Sequence, residues 1–366
     1  MTEHYRCWAE IETDALRHNA ALVRARLGLK IELLAVVKAD AYGHGMLAVA
    51  KALAHEADLF GVANLTEAIA LRDAVSHPVV ILGPAFPEEQ PGIVQHGFIP
   101  SLSTLEEAQQ FDGLAGEEEV AINFKIDTGM GRMGVPQDEA LALFKKVSVL
   151  PHLKIHSVST HLPVSNEDEA FTRAELRGFS KLVSRMRAEV PGDYKVHALQ
   201  TAGVMAFADE PFDIVRPGML LYGISSLPEF QDTLRPAMNW KTRIALIRKM
   251  PAGHGISYGR TFITPKEMRV ATLSAGYADG YPRHLSNRGA AVLVRGQRCP
   301  LLGRVTMDLM MIDVSHIGDA VVGDEVVLMG RQNDEEIPCA ELADRAETIT
   351  WEITTRIGSR VRRVYL

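Results

Sequence analysis

The chain has 366 residues, 47% of them hydrophobic, and a formal net charge of -7 with no run of like charges. That balance supports a sizeable core and gives no electrostatic footprint for nucleic acid or an anionic membrane, so chemistry on a small molecule is expected. The three cysteines, Cys7, Cys299 and Cys339, are odd in number and lack CxxC spacing, which argues against a disulfide framework or a zinc site.

The first segment, MTEHYRCWAEIETDALRHN, carries acids and no apolar core, and no later run approaches the roughly 18 apolar residues of a membrane span. The expected setting is soluble and cytoplasmic. Eight short β-branched runs then alternate with helical patterns: LLAVVK (33–38), FGVANL (60–65), PVVILG (78–83), GFIPSLS (97–103), EVAINFKID (119–127), KIHSVSTH (154–161), YKVHALQT (194–201) and FDIVRPG (212–218). The intervening LTEAIALRDAV, SNEDEAFTRAELRGFSKLVSRMRAEV and QDEALALFKKV have helical apolar spacing, with Thr, Ser or Gln as expected openers. Eight βα units predict a (β/α)8 barrel over residues 10–232. A doubly wound sheet is the rival, but no GxGxxG follows the first run.

The texture changes after LPEFQDTLRPAM. RVATLSAGY, AAVLVRGQ, LMMIDV and EVVLMG are short strands between Gly and Pro turns, followed by one helical stretch at PCAELADRAETITWEITTRIG. They predict a mainly antiparallel β domain over residues 233–366, to which residues 1–9 add a strand.

Active sites of such barrels lie at the C-terminal ends of the strands. There the sequence places Lys38, Lys125, Arg132, His161, His197, Thr201, Arg216 and Gly218. So many basic groups cannot all be packing residues, because burying unpaired charge costs several kcal/mol. They imply an anionic ligand. Small hydroxyls and backbone N–H groups at Thr201, Gly218 and Met219 suit a phosphate after the seventh and eighth runs, and a lysine across the mouth suggests pyridoxal phosphate held through that lysine. A snorkelling Lys38 is an equal alternative from pattern alone.

AVVKADAYGHG (35–45) resembles the cofactor-lysine signature of the alanine racemases, fold type III pyridoxal phosphate enzymes with a barrel followed by a β domain. KIDTGMGRMG, THL, HALQTAG, VRPGMLLYG, GISYG, GYADGYPR and GRVTMDLMMIDV are similar to that family's motifs, in its order, over essentially the whole chain. The resemblance implies interconversion of L- and D-alanine by a homodimer, supplying D-alanine for peptidoglycan. Lys38 would hold the cofactor covalently and act as base on one face of the substrate α-carbon; Tyr277 of the partner subunit would serve the other face. A free phenol ionises near roughly pH 10, so such a tyrosine needs nearby positive charge.

By the same resemblance Arg216 would face the pyridine nitrogen, where an always-charged guanidinium weakens the electron sink and so suppresses transamination. Its alternative is an ion pair with Asp213. His161 and His197 would orient it. Tyr42 and Thr201, with backbone at Gly218 and Met219, would bind phosphate. Arg132 would meet the cofactor phenolate oxygen and the substrate carboxylate, Lys125 is carbamylated at that position in some relatives, and Met307 and Asp308 of the partner would line the substrate end. No metal is implied. The chain departs from the family's usual Asn-Ser at Gln200-Thr201, and from a common tyrosine at Trp351. These changes put the exact substrate in doubt, so a racemase for serine or another small amino acid remains an alternative. A fold type III decarboxylase would need a catalytic cysteine motif absent around Cys299 and Cys339, and a non-catalytic cofactor carrier needs no β domain.

Overall fold

The computed structural model describes residues 5–28, 30–210 and 212–366. They form two compact units. One comprises Ala15–Ala41 with Met46–Arg235; the other comprises the described residues up to Asp14, the short segment Tyr42–Gly45, and Pro236–Leu366.

The first unit is the expected (β/α)8 barrel. Its parallel strands are Glu32–Val36, Leu59–Val62, Val79–Ile81, Ile99–Leu102, Val120–Asp127, Leu153–Ser159, Lys195–His197 and Ile214–Val215. Each of the first six pairs with the next, and the eighth pairs with the first, Ile214 opposite Glu32. A bridge between Gln200 and Arg216 links the ends of the seventh and eighth. The strands are buried on both faces, hence near-continuous apolar runs. Inside, a polar layer is linked by hydrogen bonds: Ser157 Oγ donates to Asn123 Oδ1 at 3.0 Å, Asn123 Nδ2 to Ser101 Oγ at 2.9 Å, and Ser101 Oγ to the Ile81 carbonyl at 2.8 Å. Asn123 and Lys125 lie two residues apart on one strand and so share its inward face.

The helix openers differ from those expected. Leu65–Arg72 is capped by Asn64, whose side chain accepts from Glu67 N, and Glu169–Glu189 by Asp168, which accepts from Phe171 N. Ala140–Val147 begins after Glu139 with no side-chain cap. Thr66, Ser165 and Gln137 lie beside those boundaries, not on them.

The second unit is mainly antiparallel, as expected. Its spine is the 13-residue strand Met238–Met250, which pairs antiparallel with Cys7–Ile11, Met268–Leu273 and Glu325–Gln332. Near the N-terminus the strand is Cys7–Ile11, running past the expected residues 1–9, of which 1–4 lie outside the described residues. The C-terminal strand Arg362–Tyr365 runs parallel to it. Trp8, Trp240 and Tyr281 fill this core. The late helical stretch is two helices, Cys339–Ala346 and Thr350–Thr355, because Glu347 turns left-handed at φ 55°.

Tyr42–Gly45 interrupts the barrel in sequence yet packs with this second unit. Arg363 Nε donates to the Gly43 carbonyl at 2.9 Å, and a Cβ at Gly43 would collide with the Thr354 carbonyl. Gly43 also has φ 83°, so glycine is required there twice over.

Candidate active site

The first barrel strand ends at Val36, and Lys38 follows it. From Ala39 to Tyr42 the chain then makes a left-handed turn, with φ of 53°, 53°, 52° and 53°. Left-handed helical backbone costs about 1–2 kcal/mol per L-residue, so a turn of four needs support. Glu67 supplies it: Oε1 accepts from Ala39 N at 2.8 Å and Oε2 from Ala63 N at 2.7 Å. One carboxylate therefore ties the residue after Lys38 to the end of the second strand. Asp40 Oδ1 accepts from Met46 N at 2.8 Å and closes the turn. The Lys38 amine is held below its ordinary pKa, first by burial and then by Arg132 and Arg216, against an opposing pull from Glu67. A larger fraction of it is therefore unprotonated and nucleophilic at neutral pH.

Arg216 is 5% exposed. It is not paired with Asp213, which instead accepts from Arg187 at 3.2 Å and from Val196 N at 2.8 Å. Its Nη2 donates to the carbonyls of Thr160 at 2.6 Å and Ala198 at 3.1 Å; its Nη1 donates to the His197 carbonyl at 3.0 Å and to His197 Nδ1. Four of five N–H donors are thus used within the barrel, leaving Nε–H for a ligand. Burial, then Arg132, lowers its pKa to about 10, so it stays a cation at neutral pH. Because His197 Nδ1 accepts, its proton is on Nε2, which is buried without a partner among the described residues. Burial and then Arg216 keep that ring neutral, its pKa well below the ordinary value.

The remaining rim residues share this field. His161 is pushed down to about 2 by burial, then by Arg216, Lys125, Arg132 and Lys38, which brings all five basic groups to one place. Lys125 is buried, and burial, Arg216 and Arg132 hold its amine well below the usual lysine range, with Asp127 and Glu175 opposing. Arg132 is exposed, on a loop shaped by Asp127, whose Oδ1 accepts from Gly129 N at 2.9 Å and Gly131 N at 3.1 Å. Thr201 Oγ1 accepts from Gly218 N at 3.0 Å, and Gln200 caps the same short helix by accepting from Gly203 N at 2.7 Å. The longer amide of Gln200 also donates to Ser165 at 2.7 Å. Met219 is buried at the start of the next turn.

In the second unit, Tyr277 N donates to the Thr306 carbonyl and Ala278 N to the Met307 carbonyl, each at 3.0 Å. Gly276 lets these turns approach, since a Cβ there would collide with both carbonyls. Tyr277, Met307 and Asp308 are therefore brought together. Asp308 accepts from Arg360 at 2.8 Å, and Arg360 also lies 3.4 Å from Asp279. Tyr277 is 42% and Met307 53% exposed. Tyr42 is buried at the end of the left-handed turn, and Trp351 is half-buried on the last helix.

Sequence reasoning missed Glu67, Glu175 and Thr160. Glu67 has a signal, because it stands three residues after the cap Asn64. Thr160 stands in the THL motif, which by itself assigns it no role, and Glu175 has no signal short of the fold. The donor set fits a flat phosphorylated pyridine: an available amine, one open guanidinium N–H on a buried cation, a neutral histidine behind it, and a hydroxyl beside backbone N–H groups. Among the described residues no cluster of His, Cys, Asp or Glu suits a metal ion, and no helix is long and apolar enough to cross a membrane.

A family model described as "Alanine racemase, N-terminal domain" matches residues 11–226, and one described as "Alanine racemase, C-terminal domain" matches residues 237–365. A curated alanine racemase of Halothermothrix orenii is 40% identical over 368 residues, covering 98% of this chain and 96% of the relative. The solved alanine racemase of Clostridium difficile 630 superposes with a TM-score of 0.93 at 31% identity, covering 99% of this chain and 96% of that one. That of Bartonella henselae, described with covalently bound pyridoxal phosphate, does so at 0.90 and 27%, covering 99% and 100%.

Proposed function

We propose a residue-by-residue reading of the site for a chain that belongs to the alanine racemase family, whose pyridoxal-phosphate-dependent activity interconverts L- and D-alanine. The observation that carries the reading is the open Nε–H of Arg216 on an otherwise saturated, carboxylate-free guanidinium in the same rim as the Lys38 amine.

When bound, pyridoxal 5'-phosphate supplies the electron sink that makes the substrate α-proton acidic. Lys38 would hold it covalently, and its amine would move the α-proton on one face. Its depressed pKa keeps part of the amine unprotonated for both tasks. Arg216 would donate its Nε–H to the ring nitrogen while remaining charged, and the carbonyls of Thr160, His197 and Ala198 fix its plane. His197 locks the guanidinium from behind as a neutral acceptor, and His161 lines the same wall. Thr201, Tyr42 and the backbone at Gly218 and Met219 would take the phosphate. Because Thr201 Oγ1 already accepts from Gly218 N, its hydroxyl hydrogen is free to donate to a phosphate oxygen.

Arg132 pairs with the substrate carboxylate. The suppressed basicity of Lys125 favours the neutral amine that reacts with carbon dioxide, so a carbamate there would offset the positive charge of the rim and orient Arg132. Tyr277 serves the opposite face of the α-carbon from a partner subunit, with Met307 and Asp308 at the substrate end. A homodimer in the cytoplasm, feeding peptidoglycan synthesis, completes the reading.

The experiment is to incubate the purified protein with each common L-amino acid and measure D-isomer by chiral chromatography. Alanine is expected to turn over fastest. A faster rate on serine would overturn the substrate assignment and trace to the Gln200-Thr201 and Trp351 departures.

A further inference from the structure

We infer that Glu175, which sits on a helix outside the barrel strands, is a positioning residue that sets both Arg132 and Arg216 through a chain of two threonine hydroxyls. Glu175 is 7% exposed, on the helix Glu169–Glu189. Its Oε1 accepts from Thr128 Oγ1 at 2.5 Å, and Thr128 Oγ1 lies 2.6 Å from Thr160 Oγ1. Since the one Thr128 hydroxyl hydrogen goes to the carboxylate, Thr160 must donate to Thr128, and the chain has a single direction.

The two threonines are at branch points. Thr128 follows Asp127 at the end of the fifth barrel strand and opens the Gly129–Gly134 loop that carries Arg132. That loop has φ of 157°, 65° and 114° at its three glycines, and backbone so permissive does not hold an arginine in place by itself. It is pinned at one end by Glu175 through Thr128, in its middle by Asp127 Oδ1, and at its far end by Gly134 N donating to Ser103 Oγ at 3.0 Å. Thr160 carries the other branch: its carbonyl accepts from Arg216 Nη2 at 2.6 Å, and its N–H donates to the His197 carbonyl at 3.1 Å. One buried carboxylate thus holds the backbone that aims the substrate arginine and the backbone that aims the ring arginine. Burial pushes the Glu175 carboxyl up, while the Thr128 bond opposes this.

This inference rests on the role given to Arg132 above. The test compares Glu175→Leu, Glu175→Gln and Thr128→Val by the KM and kcat for alanine and by titrating pyridoxal 5'-phosphate into the apoprotein, followed by visible absorbance. A bond to a buried charged group is worth about tenfold or more in an equilibrium constant. Glu175→Leu and Thr128→Val are each expected to raise KM and the cofactor dissociation constant about tenfold, kcat changing less. Combining Glu175→Leu with Thr128→Val should be no worse than Thr128→Val alone, because both cut one chain. Glu175→Gln, which keeps an acceptor for Thr128, should recover most of the loss. Variants that lower only the melting temperature, with KM and cofactor affinity unchanged, would overturn the inference, and Thr128→Val decides if Glu175→Leu does not fold. Arg132→Ala is the separating control. If it leaves KM unchanged, the Arg132 reading itself falls and the inference with it; if it raises KM while the other two do not, only the inference falls.

Discussion

The barrel rim and the Tyr277 turn solve opposite problems. On the rim most groups are held by their own unit: Arg216 is saturated on four N–H positions, His197 is fixed as one tautomer, and Lys38 is anchored through the Glu67 bond to the next residue, while Arg132 is exposed on its loop. The Tyr277 turn is held just as firmly in its backbone, yet its phenol and the Met307 side chain beside it are largely exposed. Backbone precision without a side-chain environment is what a residue needs when its surroundings come from another chain. On the proposed function, the rim is a finished half-site and the turn a displayed one.

Replacing Lys38 with Ala removes the amine on which the rim converges. Racemisation should fall by at least about three orders of magnitude, measured as D-alanine formed. Full activity in that variant would end the comparison, because the finished half would then not be the working one. Tyr277→Phe should cost about 10²–10⁴-fold in one direction of proton transfer. Exchange of the α-proton with solvent deuterium should be lost from one enantiomer and kept from the other; equal residual exchange from both contradicts separate faces.

The finished half also leaves a signature in stability. His161 and His197 are neutral when folded, with pKa values pushed below the ordinary 6.5, to about 2 for His161. Below pH 6.5 the unfolded chain therefore binds more protons, so stability rises with pH and is lost as pH falls from 6.5 toward 2. Each histidine contributes up to about 1.4 kcal/mol per pH unit in that window. Urea unfolding at several pH values between 6.5 and 5 should show a slope that His161→Gln reduces; an unchanged slope removes His161 from the buried set. The smallest effect is expected for Glu67→Gln. Glu67 raises the Lys38 pKa, so removing its charge should move amine labelling of the apoprotein to lower pH. A shift to higher pH would contradict the assigned sign.

The eight barrel strands are legible in the sequence because most are buried on both faces and read as near-continuous apolar runs, and their order puts Lys38, His161, His197 and Arg216 at one rim. The left-handed turn over Ala39–Tyr42 is not, since alanine and tyrosine carry no preference for that backbone and its support comes from Glu67, 28 residues from the Ala39 it holds. Glu175 reads in sequence as an ordinary helix glutamate, and only the fold brings it to Thr128. Asn64 and Asp168 cap their helices in place of the expected residues because several polar side chains crowd each boundary and geometry selects one. The strand Met238–Met250 escapes sequence reading because charged residues break MNWKTRIALIRKM and leave only the short apolar run IALI.

The central claim is that a working site joins the finished half of one chain to the displayed half of another. Mixing Lys38→Ala with Tyr277→Phe subunits under conditions of exchange tests it most directly. Statistical pairing gives half mixed dimers, each with one intact site, so about a quarter of wild-type racemase activity should return. Activity that stays at the level of the two parent variants, with subunit exchange shown independently, would contradict the claim.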